Sequence, residues 1–163
     1  MREKENIHIL LMVPILPTTL FCPSFLFRHN GAGKTTTIGM LTGMIPPTSG
    51  WATVAGYDIR TNMSSLRENV GVCLQHDCLF PQLTVKEHIQ FFSQVKGLYS
   101  KKSREDSEQS VLSAIEDVAL SEKRNTYSKD LSGGMKRKLS VAIAFCGDSK
   151  VVFLVSASSL MMY

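Results

Sequence analysis

The chain has 163 residues, 44% hydrophobic and 20% charged, which excludes a disordered or fibrous protein and suggests a single domain. Its net charge of +4 is too mild to imply a nucleic-acid partner by itself, and most of the surplus sits in residues 131–163, where Asp148 is the one acid. Cys22, Cys73, Cys78 and Cys146 form no Cys-x-x-Cys pair, so they read as buried, reduced thiols in a reducing compartment and not as a zinc site.

Residues 7–27 are largely apolar, yet Pro14, Pro17 and Pro23 interrupt them, which argues against a membrane helix. Arg2 and Lys4 are balanced by Glu3 and Glu5 and no small-residue cleavage site follows, which argues against a secretory leader. The reading is an apolar leader over 1–23 that ends in a short buried strand, Ser24–Phe27.

From there the pattern is regular. A glycine-rich turn leads into a helix over Lys34–Leu41, and Pro46–Gly50 is a turn. Trp51–Ala55 and Val70–Leu74 read as strands. Thr84 and Glu87 have capping-box spacing and open a helix with Ile89, Phe92 and Val95–Lys96 on one face. A second helix starts at Ser103, with Val111, Leu112, Ile115, Val118 and Ala119 as its stripe. A third begins near Ser132, with Met135, Leu139, Ala142, Ile143 and Cys146 at helical spacing, and Lys150–Leu154 is a last buried strand. The expected organisation is a core over 24–84, a helical subdomain over 85–130, a helix and strand over 131–154, and a divergent tail over 155–163.

Three features carry chemistry. Asn30-Gly31-Ala32-Gly33-Lys34-Thr35-Thr36 follows a strand and opens a helix, the context of a P-loop. Glycines let backbone amides turn toward phosphates, and the helix start adds its positive dipole. Lys34 can reach the β- and γ-phosphates, and the Thr35 hydroxyl can ligate Mg²⁺. One departure is Arg28, where the full pattern has glycine. Second, Leu131-Ser132-Gly133-Gly134-Met135 places a serine and two unobstructed amides at a helix start, a second candidate for an anion. Third, Gln75 closes a strand; alone it reads as a surface residue, and His76 and His88 as surface or capping residues.

Order and spacing turn these three into one signal. P-loop, glutamine after a strand, helical insert and Leu-Ser-Gly-Gly together resemble the nucleotide-binding domain of ATP-binding cassette (ABC) proteins. The wording around Gly43, Pro46–Gly50, Gln75-His76, Leu83–Val85, Lys96-Gly97 and Leu131–Ser140 is similar to subfamily A, the lipid-transporting exporters. The resemblance covers about residues 28–154. It implies an α/β fold: a P-loop NTPase core with an incomplete mixed or parallel sheet and flanking helices, plus the helical subdomain. It also implies ATP and Mg²⁺ as cofactors. The P-loop residues Asn30 to Thr36 would bind ATP, with Lys34 and Gln75 in catalytic roles and Thr35 and Gln75 at the metal. Ser132, Gly133 and Gly134 would cap ATP held by a second nucleotide-binding domain. The partners would be that domain and the membrane domains of a transporter, at the cytoplasmic face of a membrane, with no nucleic acid. A DNA-repair type of ABC ATPase is disfavoured, because a compact helical block separates P-loop and signature.

The same resemblance exposes a gap. After the last strand the family has an Asp and a Glu, which support Mg²⁺ and the attacking water. Val155 and Ser156 stand at those positions. The chain is therefore expected to be inactive as an ATPase by itself. The alternative is a non-catalytic nucleotide-binding or transporter-docking fragment, from a splice form or a gene model.

Overall fold

The computed structural model describes residues 7–15, 20–28, 33–97, 99, 103–147 and 149–157; over 7–28, and at Lys34, Thr35, Ser156 and Ala157, it describes the backbone alone. The chain forms two compact units, Met1–Gln75 with Lys150–Tyr163, and His76–Ser149.

The first unit holds β1 (Ile7–Ile15), β2 (Leu20–Arg28), α1 (Lys34–Leu41), β3 (Thr53–Val54), β4 (Tyr57–Asp58), α2 (Met63–Asn69), β5 (Val70–Cys73) and β6 (Val151–Ala157). Four strands make a mixed sheet in the order β2-β1-β6-β5, and β3 and β4 form a separate antiparallel pair. β1 is antiparallel to both neighbours, and β5 is parallel to β6. Two nine-residue strands, over 7–15 and 20–28, stand in place of the one short strand expected at Ser24–Phe27. The prolines allow it. Pro23 lies in the edge strand β2, and Pro14 lies beyond Met12, the last β1 residue paired with β6. A residue with no N–H is tolerated where one side of the strand carries no ladder. Pro17 lies outside the described residues.

Val54, Ile59, Leu66, Val70, Val151 and Phe153 form the core of this unit. The expected strand at 51–55 shrinks to Thr53–Val54, and Trp51 is 80% exposed. β6 extends past Leu154 through Val155 and Ser156, because a β-branched apolar residue lets the strand continue.

The second unit holds α3 (Val85–Val95), α4 (Arg104–Asp117) and α5 (Gly133–Phe145), with 3-10 turns at Ser121–Lys123 and Ser128–Asp130. Val85, Ile89, Val111, Ile115, Leu120, Leu131, Leu139, Ala142 and Cys146 pack into one apolar core. Val95 and Leu112 turn outward despite their place in the expected stripes, and Ala119 ends α4 at positive φ. Among the described residues no helix is long and apolar enough to cross a membrane.

The start of α3 is a full capping box. The Glu87 amide donates to Thr84 Oγ1 at 3.2 Å, while the Thr84 amide and hydroxyl both donate to the Glu87 carboxylate at 2.8 Å. Those bonds, the backbone one foremost, hold the Glu87 carboxyl below its ordinary value of 4.5. A depressed carboxyl pKa stabilises the fold above the unfolded value, and that contribution disappears as pH falls through the folded value. Thr84→Ala should cost about 1 kcal/mol in urea unfolding at neutral pH. Glu87→Gln should melt below the parent at neutral pH, with the gap closing as pH drops below 4.5; a gap that widens in acid would refute the assignment.

Candidate functional site

Strand direction builds the site. β2 and β6 are both antiparallel to β1, so they run the same way, and β5 runs with β6. The carboxyl ends of all three lie at one edge of the sheet. Arg28 pairs with Ile7 and Ile7 with Ala157 in one row across the sheet, while Cys73 pairs with Leu154. The Asn30–Thr36 run follows the first of these ends in sequence, residues 155–156 belong to the second, and Gln75 lies two residues past the third. Carboxyl ends of parallel strands are where α/β sheets hold ligands. Neighbouring strands lie about 4.8 Å apart, so the intervening β1 puts β2 roughly 10 Å from β6.

Arg28 remains in the ladder to the end of β2. Asn30, Gly31 and Ala32 lie outside the described residues. Gly33 is the N-cap of α1 at φ 79°, ψ 12°, a left-handed conformation that favours glycine, and a Cβ there would meet nothing within 4 Å. Thr37 closes the first turn, its amide and hydroxyl donating to the Gly33 carbonyl at 2.9 and 3.0 Å. The amides of Lys34, Thr35 and Thr36 precede that bond and have no partner inside the helix. The N-cap Gly33 has no side chain to cap them, and the first turn carries no acid. A helix start with a glycine N-cap and no acid in its first turn fits a phosphate chain. Lys34 and Thr35 lie in the first turn by their backbone, and the Thr36 side chain is exposed. Gln75 is half-buried.

The carboxylate side of the site is different. Val155 and Ser156 lie inside β6, across the ladder from Ile9 and His8. Neither offers the acid that a magnesium ion would need there, and no cluster of three His, Cys, Asp or Glu is placed to hold a metal among the described residues.

Ser132, Gly133 and Gly134 belong to the second unit. Ser132 is the N-cap of α5; its Oγ accepts from the Met135 amide at 3.3 Å, and its carbonyl accepts from Lys136 at 2.9 Å. Gly133 and Gly134 are exposed, and a Cβ at either would meet nothing within 4 Å. Among the described residues no packing demands glycine there, and both are exposed.

Two residues matter more than their sequence context suggests. His88 is fully buried and not a surface residue: its Nε2 accepts from the Phe80 amide at 2.9 Å, and its Nδ1 lies 2.8 Å from the Thr84 carbonyl, which fixes the proton on Nδ1. The signal was its place on the face of Val85 and Ile89. The second is Asp77, which reaches α5. Of the described cysteines, Cys73 and Cys146 are buried as expected, and Cys78 is exposed.

Comparison with known proteins decides the family. The model of the ABC transporter family matches residues 25–156. The chain belongs to the ABC transporter family. Among its relatives, ATP-binding cassette sub-family A member 2 of Rattus norvegicus is 54% identical over 126 residues, covering 77% of this chain and 5% of that protein. The retinal-specific phospholipid-transporting ATPase ABCA4 of Homo sapiens is 53% identical over 131 residues, 80% of this chain and 6% of its own length. The phospholipid-transporting ATPase ABCA3 of Rattus norvegicus is 49% identical over 134 residues, covering 82% and 8%. This ABC chain thus spans a small fraction of the relatives it matches. The solved ATP binding subunit of an ABC transporter superposes with a TM-score of 0.60 at 23% identity, over 83% of this chain and 61% of that one, which shows a shared mixed α/β fold.

The two glycine sites of this ABC chain should respond oppositely to a methyl group. Gly33→Ala should lose about 1–2 kcal/mol in urea unfolding through its left-handed backbone. Gly134→Ala, in an open helical position, should gain up to about 1 kcal/mol. Equal and opposite signs exchanged between the two would contradict this geometry.

Proposed function

We propose that this chain is the ATP-binding part of an ABC transporter of the lipid-transporting A subfamily, and that it binds nucleotide without hydrolysing it. The observation that carries this reading is the start of α1 at a left-handed Gly33 with no acid in its first turn, at the carboxyl edge of the sheet, in a chain with the Gly31-Ala32-Gly33-Lys34-Thr35-Thr36 run. The amides from Asn30 to Thr36 cradle the phosphates, and the Lys34 ammonium neutralises charge on the β- and γ-phosphates. The Thr35 hydroxyl and the Gln75 side-chain carbonyl are the oxygens left to hold Mg²⁺. When bound, that ion draws charge from the phosphate oxygens. Ser132, Gly133 and Gly134 offer hydroxyl and amide donors to the γ-phosphate of ATP on a second nucleotide-binding domain.

Turnover needs more than binding. Val155 supplies no carboxylate to the metal, and the Ser156 hydroxyl is too weak a base to orient and activate water. Losing a general base alone costs about 10²–10⁴ in rate.

Coupling to a membrane domain is supported by the relatives' names, two of which are phospholipid-transporting ATPases. In the second unit, the rings of Phe80, Phe91 and Phe92 pack edge-on and stacked with centroids 5.2–6.4 Å apart, with Phe80 and Phe91 exposed. That apolar surface suits a transporter partner at the cytoplasmic face of a membrane.

Calorimetric titration should show ATP binding in the parent chain and a loss of about tenfold or more in Lys34→Ala, the effect of removing a charged donor. Phosphate release should be the same near-background value for both. No binding at millimolar ATP would defeat the binding claim; Lys34-dependent turnover would defeat the non-hydrolytic one.

A further inference from the structure

The segment that leaves Gln75 is tied by a side-chain clasp to the helix that begins at Ser132. Asp77 follows Gln75 by two residues. Its Oδ1 accepts from the Ser140 hydroxyl at 2.8 Å and lies 3.6 Å from Nη1 of Arg137. Ser140 Oγ also lies 3.0 Å from the Lys136 carbonyl, and the charged carboxylate is the stronger claim on its one proton. The partners are 60 and 63 residues from Asp77 in sequence, so local chain geometry does not produce the contact.

Two features separate this clasp from a solvated ion pair. The Arg137 side chain is 12% exposed and the Asp77 side chain 27%, so water screens the pair weakly. Arg137 and Ser140 are three residues apart and present one face of α5, while Leu139, Ala142 and Cys146 hold another face in the core. Core packing fixes α5 from one side, and Asp77 holds its N-terminal half from the other.

We propose that Asp77 is a positioning residue whose carboxylate, through Arg137 and Ser140, links the segment after Gln75 to the N-terminal half of α5. The functional weight of this link rests on the reading above that the amides at 132–134 face a phosphate. With the clasp closed, displacement of the segment carries the start of α5 with it. With the clasp open, the two move independently.

Cys78, next to Asp77, reports on the segment. It is exposed, whereas Cys146 is buried and burial pushes its thiol pKa up. The rate of Cys78 alkylation, read by peptide mass, and hydrogen exchange at the amides of residues 135–138 are measured on the full chain without nucleotide. Asp77→Asn and Arg137→Gln should each raise both rates about tenfold, the effect of losing a charged hydrogen bond. The double variant should add little more, because either change opens the same clasp. Arg137→Lys, which keeps the charge, should stay near the parent. Ile115→Val, a core change away from the clasp, controls for general loosening.

The proposal is overturned if Asp77→Asn speeds Cys78 alone and leaves α5 unchanged, if the single effects simply add, or if Ile115→Val reproduces them. Should Asp77→Asn fail to fold, Ser140→Ala removes one arm of the clasp and must move both rates in the same direction. Neither readout uses ATP, so failure of the clasp and failure of nucleotide binding are told apart.

Discussion

The direction of three strands is the constraint on which the rest of the site depends. β2, β6 and β5 end at one edge of the sheet because each pairing fixes the next: β2 against β1, β1 against β6, β6 beside β5. A reversal of either antiparallel pairing would send the chain after Arg28 to the opposite edge. The helix that follows would then offer its first-turn amides far from Gln75 and from residues 155–156. The proposed phosphate binding therefore depends on topology first and on the glycine-rich run second.

That same edge carries an asymmetry. Its donor side has Gly33 in a left-handed conformation at the N-cap and no acid in the first turn of α1. Its acceptor side is bare, since Val155 and Ser156 continue the strand where carboxylates would be needed. Donors without acids favour holding a polyanion over activating water against it. The two halves of the chemistry are separable because one arises from backbone and the other from two side chains.

The helices were the legible part of the sequence. Thr84 with Glu87, Ser103 with Asp106 and Ser132 with the Met135 amide are local interactions, and spacing alone announced all three starts. α1 likewise follows from the run at Gly33. The misses are non-local or short. β1 and the full length of β2 depend on partners across the sheet, and three prolines hid them. α2 has seven residues and one buried side chain, Leu66, so it shows no period. The burial of His88 and the reach of Asp77 to α5 depend on tertiary neighbours, which no spacing rule encodes. Val155 and Ser156 were visible only as a departure from a family pattern.

The most direct test of the account is where ATP touches the chain. Amide chemical shifts recorded during an ATP titration should change most at Gly33–Thr37, with Gln75 following, and should be reproduced by inorganic triphosphate because the phosphates carry the contact. Shifts confined to residues 76–149, or none at saturating ATP, would contradict it.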